Sequence, residues 1–413
     1  MDSKLKIGMA VLIAAALGIA GYGKISNQLH KDPEITGINA SFIGEVGPGE
    51  KLTKSMFDVK GITKSGQLVA LKDFSSETSS AAQNGDSCEI EIESQGFSTT
   101  VIVQITRESI YTQNIGYPNE TDAVITLYKN GDLEFTGSGE IINFSKNLPW
   151  KDLQYTHVYI DEGLKIENMD NWFTGNEKLV YCSDIPKTVK TARNTFKGCK
   201  KLESTPGYFQ CSNLKIVDYM FSGCEALKEA DIIPVNVTSA KYAFENCVSL
   251  QTPISLNKTS NLQDASGIYS GCTSLREATA IPETVIYMDE CYKGCINIKK
   301  AVKFPGNVQS IASAYAGDSA LETAANIPES VIDFSNVYNG CTALNGALEI
   351  NSDTDAFNGA LLGAAANGDK LAISGNSGNL LAIQKDSGNV NITLADPEAA
   401  AKQNERMLRE QEN

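Results

Sequence analysis

With 413 residues, 42% of them hydrophobic and 21% charged, the chain has the composition of a folded protein with room for two or three domains. Fifty acidic against 35 basic residues give a net charge of -15 and a pI near 4.7. That balance argues against nucleic acid and against an anionic membrane face as partner, because both need clustered Lys and Arg.

Lys4 and Lys6 precede an apolar run from Ile7 to about Gly23. Residues 1–24 therefore read as a signal anchor, a slightly short membrane-spanning helix, or as a signal peptide cut after Ala20 or Gly23. The anchor is preferred. Either way the rest of the chain is exported, to a membrane-anchored place on the cell surface or, if the segment is cut, to the outside. A short polar tether to Asp32 follows.

Between residues 34 and 107 short alternating runs appear at Ile35 to Phe42, Met56 to Ile62, Gln67 to Phe74, Ser87 to Ser94 and Ser98 to Thr106, with Gly, Pro, Ser and Asn between them. Evenly spaced strands of this kind predict a small β-sandwich. The phrase from Ile38 to Leu52, then Phe57-Asp-Val-Lys-Gly, a Lys64-Ser-Gly turn and the closing strand Val101 to Ile105 resemble the bacterial immunoglobulin-like domains of Gram-positive surface proteins.

Glu108 to Thr121 reads as a polar connector. Ala123 to Leu127 and Leu133 to Thr136 alternate across Lys129-Asn-Gly-Asp132, a hairpin signal. The stretch 123–171, with Trp150, is expected to cap the solenoid that follows, whose first coil would otherwise expose its core.

From Trp172 to Ala347 one phrase is written eight times: aromatic, any residue, glycine, cysteine, two residues, leucine. The cysteine slot is filled by Asn176, Cys199, Cys224, Cys247, Cys272, Cys295, Asp318 and Cys341, at spacings of 23, 25, 23, 25, 23, 23 and 23 residues. A fixed period of that size is the signature of a solenoid. Aromatic and cysteine three apart place both on one helical turn facing the core, and the leucine three further on opens a strand. Pro186, Pro234, Pro282, Pro305 and Pro328, ten residues past the slot, mark the corner after that strand.

The sequence Cys-x-x-Leu, then Ile-Pro-x-x-Val (Ile281 to Val285, Ile327 to Val331), then aromatic-x-Gly-Cys resembles the BspA-like, or Treponema-type, leucine-rich repeats of bacterial surface antigens. Gly131 to Trp150 is similar to that family's opening segment. The resemblance implies a right-handed solenoid that binds macromolecules, with no catalytic residues to carry over. The chain departs from the pattern at Asn176 and Asp318, and in the small Ala278, Ala301 and Ala324 where larger aliphatics are usual. The expected fold is mainly β: an N-terminal transmembrane helix (1–24), an immunoglobulin-like sandwich (34–107), a cap (123–171), repeats with short helical turns (172–350), degenerate repeats as a C-terminal cap (351–395) and a charged helical tail (396–413) that starts at Asp396-Pro397-Glu398.

Six of the ten cysteines share one slot and should stack as free, buried thiols, since in-register side chains about 4.8 Å apart fit disulfide geometry poorly. Cys88, Cys182, Cys211 and Cys291 lie off this ladder. His30 and His157 are the only histidines, there is no paired Cys-x-x-Cys, and Asp353-Thr-Asp355 lacks the remaining ligands of a calcium loop, so no catalytic, metal or cofactor site is expected. Asp318 is expected to bond locally to the backbone.

Residues four and five positions past the slot should face the inner surface: Tyr181, Lys228, Glu229, Arg276, Glu277, Lys299, Lys300 and Glu322. The sequence thus reads as a non-enzymatic surface protein that displays a solenoid on an immunoglobulin-like stalk. Its expected partner is a protein or glycan on a host or neighbouring cell, with membrane contact only through the N-terminal helix and no nucleic acid. The alternative is a docking component of an envelope, conjugation or secretion assembly.

Overall fold

The computed structural model describes residues 34–411 apart from 48, 77–79, 83–86, 145–146, 209 and 257. The apolar run of residues 1–24 and the tether lie outside the described residues. Among the described residues no helix is long and apolar enough to cross a membrane. The chain divides into two compact units, Met1–Thr106 and Arg107–Asn413.

The first unit holds two three-stranded antiparallel sheets, β1 (Ile35–Phe42), β2 (Phe57–Thr63) and β3 (Leu68–Ala70), then β4 (Ser75–Ser76), β5 (Ser87–Ser94) and β6 (Phe97–Gln104). The run read as one strand from Gln67 to Phe74 ends early, and β4 joins the other sheet. Period-two alternation in β5 buries Ile90 and Ile92 while Glu89 and Glu93 stay exposed. These isoleucines meet Phe57, Val59, Val101 and Val103 in one core.

In the second unit a five-stranded sheet, ordered β14-β12-β10-β9-β7, changes from hairpin to solenoid: β7 (Ser109–Asn114), β9 (Ala123–Tyr128) and β10 (Asp132–Gly137) are antiparallel, while β12 (His157–Ile160) and β14 (Tyr181–Cys182) continue in parallel. Three shorter strands, β8 (Gly116–Tyr117), β11 (Gly139–Ile141) and β13 (Leu164–Lys165), form a side sheet. The polar connector expected from Glu108 to Thr121 is thus mostly strand. An edge strand with one solvated face needs few apolar residues, so β7 sets Ser, Thr, Gln and Asn around Ile110 and Tyr111. Trp150 is fully buried against Phe135 (4.9 Å between ring centroids) and Trp172 (4.8 Å), and its Nε1 donates to the Trp172 carbonyl at 2.9 Å.

The repeats stack as coils, but the expected helical turn is not a helix. Two residues in each coil, one and five before the slot, take left-handed backbone: Asn194 and Gly198, Tyr219 and Gly223, Glu290 and Gly294, Ser313 and Gly317 among them. Each turn closes with a three-residue bond such as Cys199 N to Phe196 O (3.0 Å). Alternation of right- and left-handed residues turns every second N–H along the solenoid axis. Ala192, Asn194, Phe196 and Gly198 therefore donate to Ile216, Asp218, Met220 and Ser222 of the next coil at 2.7 to 3.0 Å. An α-helix would keep those N–H groups within its own coil.

The strand expected after the leucine is also reduced. A row of single parallel bridges, eight residues before the slot, runs unbroken through Asn168, Thr191, Ile216, Ser239, Asp264, Tyr287, Ser310 and Asp333. The row five residues past the slot is bridged at Ser204–Glu229 and Lys300–Thr323, while no bridge among the described residues joins Glu229 to Thr252, Thr252 to Glu277 or Glu277 to Lys300. Pro253 contributes to this opening because it has no N–H to give.

The core is a column of stacked rings from Phe196 through Phe221, Phe244, Tyr269, Tyr292 and Tyr315 to Tyr338, with centroids 5.3 to 6.0 Å apart. The tyrosines reach across the coil with their hydroxyls. Tyr338 Oη donates to the Ala325 carbonyl at 2.7 Å and accepts its N–H at 2.9 Å, and Tyr315 Oη accepts from Val302 N at 3.0 Å.

Past residue 351 the coil turn persists, with Gly359 and Gly363 in the left-handed places and Tyr338 N donating to Ala360 O at 2.9 Å. Parallel strands β15 (Gly346–Glu349), β16 (Leu371–Ser374) and β17 (Ile392–Leu394) close the stack. Leu380 and Ile383, grouped above with degenerate coils, lie instead on helix α1 (Leu380–Ser387), where residues three apart share the buried face and Gly388 ends the helix in left-handed conformation. Helix α2 (Pro397–Gln411) is capped by Asp396, whose Oδ1 accepts from Ala399 N at 2.9 Å.

Tyr338→Phe leaves the buried Ala325 N–H and C=O without their partner, at a cost of about 1–3 kcal/mol. The expected result in thermal unfolding of the full chain is a melting point lower by a few degrees; an unchanged melting point would show that the cross-coil hydroxyl bond is dispensable.

Candidate binding surface

The cysteine slot is a hydrogen-bonding position as well as a packing one. Cys199, Cys224, Cys247, Cys272, Cys295 and Cys341 are fully buried, and each Sγ donates to the aromatic carbonyl of the preceding coil: Phe173, Phe196, Phe221, Phe244, Tyr269 and Tyr315, at 3.0 to 3.3 Å. That carbonyl already accepts the three-residue turn bond, so the thiol fills its second lone pair. Asn176, which replaces the first cysteine, keeps the role by donating Nδ2 to Tyr155 O at 3.2 Å. All ten cysteines are free, and Cys88 alone is not buried. Burial pushes the thiols of Cys224 and Cys272 up to about 12 and that of Cys211 up to about 11, so at neutral pH they carry no nucleophilic thiolate.

Asp318 is the exception in the ladder. Its side chain is fully buried between the coils of Cys295 and Cys341, and neither carboxyl oxygen has a hydrogen-bond partner. The expected local bond to the backbone is therefore not formed: the amides of Cys295 and Gly294 lie near enough to favour the charged form but do not close on it. Burial dominates and lifts the carboxyl from 3.8 to about 9. At neutral pH the group is a neutral acid, without the donated bond that the cysteines make in this slot.

The eight residues expected on the inner surface are all exposed. Arg276, Glu277, Lys299 and Lys300 meet around one groove of about 670 Å³ between neighbouring coils, together with Ala278 and Ala301. Lys228 and Glu229 line a second, of about 590 Å³, with Gln251, Thr252, Pro253 and Ile254. Both grooves lie where the second bridge row is open. Glu322 pairs with Lys299 at 3.2 Å. Tyr181 stands apart on the capping sheet, 5.5 Å from the ring of Tyr159 and 6.2 Å from that of His157.

Sequence reasoning missed Glu283 and Lys303, which wall the first groove and approach each other to 3.9 Å. The small residues at Ala278 and Ala301 were the available signal for that space. It also missed the half-buried pair Tyr219 and Tyr242, stacked at 5.0 Å with Lys197 Nζ 4.5 Å above Tyr219, because both sit at left-handed positions where an aromatic is unusual. Asp353 Oδ1 accepts from Gly378 N at 2.7 Å, and among the described residues no three His, Cys, Asp or Glu side chains cluster as metal ligands.

Residues 189–322 match the BspA type leucine rich repeat region in six copies. The repeat region is of the BspA type. No curated protein matches the chain. Similar solved structures include a leucine-rich repeat protein from Bacteroides ovatus ATCC 8483, with 20% identity over 64% of this chain and 70% of that one and a TM-score of 0.39. Another, from T. pallidum, has 18% identity over 53% and 86% of the two chains and a TM-score of 0.30. A third, from Eubacterium ventriosum ATCC 27560, has 14% identity over 64% and 85% with a TM-score of 0.29. The BspA-type match spans both grooves and six of the eight surface residues together with Glu322 at its end; Tyr181 precedes it.

Two outcomes follow for the slot. In the native protein a water-soluble disulfide reagent should modify Cys88 and leave the nine buried thiols untouched until denaturant is added; rapid native modification of several thiols would contradict the ladder. Because the folded carboxyl of Asp318 titrates above its unfolded value, its stabilising neutral form is fully present below about pH 4 and is lost as pH rises toward 9. Stability should fall across that window by up to about 1.4 kcal/mol per pH unit. Asp318→Asn or Asp318→Cys should raise the melting point at pH 8 and flatten its pH dependence, whereas an unchanged profile would place the charge elsewhere.

Proposed function

We propose that the chain is an exported, cell-surface binding protein in which the first unit, an immunoglobulin-like stalk, carries a BspA-type solenoid that binds a protein or glycan ligand without chemistry. The observation that carries this reading is the division of side chains across each coil. Every repeated group with chemical potential, the thiols and the tyrosine hydroxyls, is buried and engaged with backbone, while the variable charged residues stand exposed around two grooves. BspA-type repeat proteins are typically surface or extracellular, which supports the location, and the apolar run of residues 1–24 supports attachment to a membrane. The two-sheet architecture of the first unit supports the stalk.

The test is binding of residues 34–413 to an array of extracellular proteins and glycans from host and bacterial surfaces. Saturable binding to a small set is the expected result. Binding to none of them, with co-purification of envelope machinery from the producing cell, would replace this reading with that of a docking component in an assembly.

A further inference from the structure

We propose that the groove between the coils of residues 272–294 and 295–317 receives an extended, acidic polypeptide segment of the partner. This deepens the binding reading above and rests on it.

Three independent features of the groove agree. Its charge runs against that of the chain: Arg276, Lys299, Lys300 and Lys303 outnumber Glu277 and Glu283 there, in a protein of net charge -15. Two of these cations are already engaged, Lys299 with Glu322 at 3.2 Å and Lys303 with Glu283 at 3.9 Å. Arg276 and Lys300 have no ion-pair partner among the described residues, so they are the positions from which carboxylates would be held. Guanidinium suits the task, because its fork meets a carboxylate in two parallel bonds.

The second feature is backbone. At the next step along the axis the same row is closed, with Ala301 N donating to Thr323 O at 2.9 Å and Thr323 N to Lys299 O at 3.2 Å. Among the described residues no bridge forms between Glu277 and Lys300, and the N–H groups of Ala278, Lys299 and Lys300 have no hydrogen-bond partner. A row that pairs coil to coil at Ser204–Glu229 and Lys300–Thr323 leaves its donors unpaired at this step. Exposed strand-like backbone of this kind is what an added extended peptide pairs with, its main chain giving affinity and its side chains selectivity. A polyanionic glycan would meet the cations but could not reproduce a peptide's alternating donors and acceptors.

The third is room. Ala278 and Ala301 leave a space of about 670 Å³, inside the range of about 300–1,000 Å³ typical of ligand clefts. The neighbouring groove near Lys228 lacks the charge surplus, since Lys228 is paired with Glu203 at 3.1 Å and the other charged residue lining it is Glu229.

The probe is a fluorescent twelve-residue peptide of alternating Glu and Thr, titrated with the protein lacking only residues 1–33 and followed by anisotropy, with an alternating Lys and Thr peptide and heparin beside it. The expected result is saturable binding of the acidic peptide, weaker by at least tenfold in Arg276→Glu/Lys300→Glu, weaker in the charge-neutral Ala278→Leu, unchanged in Lys228→Glu and lost at high salt. Melting curves of the variants establish that the fold is intact, at the exposed Arg276, Lys300 and Lys228 and at the part-buried Ala278. No binding of the acidic peptide, equal binding by wild type and the double variant, or binding of heparin alone would overturn the proposal. The surface array above separates the two levels: ligands that survive Arg276→Glu/Lys300→Glu leave the binding function standing and remove this groove from it, whereas an empty array removes the function itself.

Discussion

The structure depends on how each coil hands its backbone hydrogen bonds to the next. A stack of short coils cannot satisfy its amides internally, and a buried N–H without a partner costs about as much as a core cavity. Alternating right- and left-handed residues solve this by turning every second N–H along the axis, so that Asn194, Phe196 and Gly198 reach the following coil and the next turn repeats the pattern. Left-handed backbone costs non-glycine residues roughly 1–2 kcal/mol each. Glycine one residue before the slot, replaced by Asn246 in one coil, avoids that cost, and Asn171, Asn194 and Asn336 reduce it at the other position.

Other repeated residues follow from that geometry. The turn leaves a carbonyl with one free lone pair facing the following coil, and the slot residue donates to it, as thiol or as amide. The aromatic three residues earlier stacks on its counterparts, and where it is tyrosine the hydroxyl ties the far side of the same coil. These positions are committed to holding the stack, which confines recognition to the residues between them. Asp318 breaks the rule of the slot: its buried carboxyl makes no such bond, and burial holds it in the neutral form at neutral pH.

Periodicity exposed the slots, the buried free thiols and the exposure of the residues four and five past the slot, because packing repeats with the sequence. It misread the local conformation: aromatic and cysteine three apart fit a helical turn and a three-residue turn equally well, and the left-handed position before them is filled by Asn, Tyr, Gly, Glu and Ser with no shared chemistry to mark it. The strand after the leucine was overestimated for a related reason. Each coil has only a few residues before its corner, and a single bridge per coil suffices where the opposite row is continuous. Strand β7 was hidden because only Tyr111 and Gln113 face inward and Ile110 is exposed, so no apolar alternation marks it. The grooves were half legible, in the exposed charges of Arg276 and Lys300 and in the small Ala278 and Ala301, but their coincidence with unpaired backbone depends on coil-to-coil register that a single sequence does not state.

The central claim is that the solenoid is fastened along one continuous row and left open at specific steps of another. Residue-resolved amide hydrogen exchange under native conditions tests it most directly. The account predicts strong protection at Asn194, Phe196, Gly198, Tyr219, Phe221 and Gly223, with fast exchange at Ala278, Lys299 and Lys300. Equal protection of both sets would mean that the second row is closed in solution, and with it the groove.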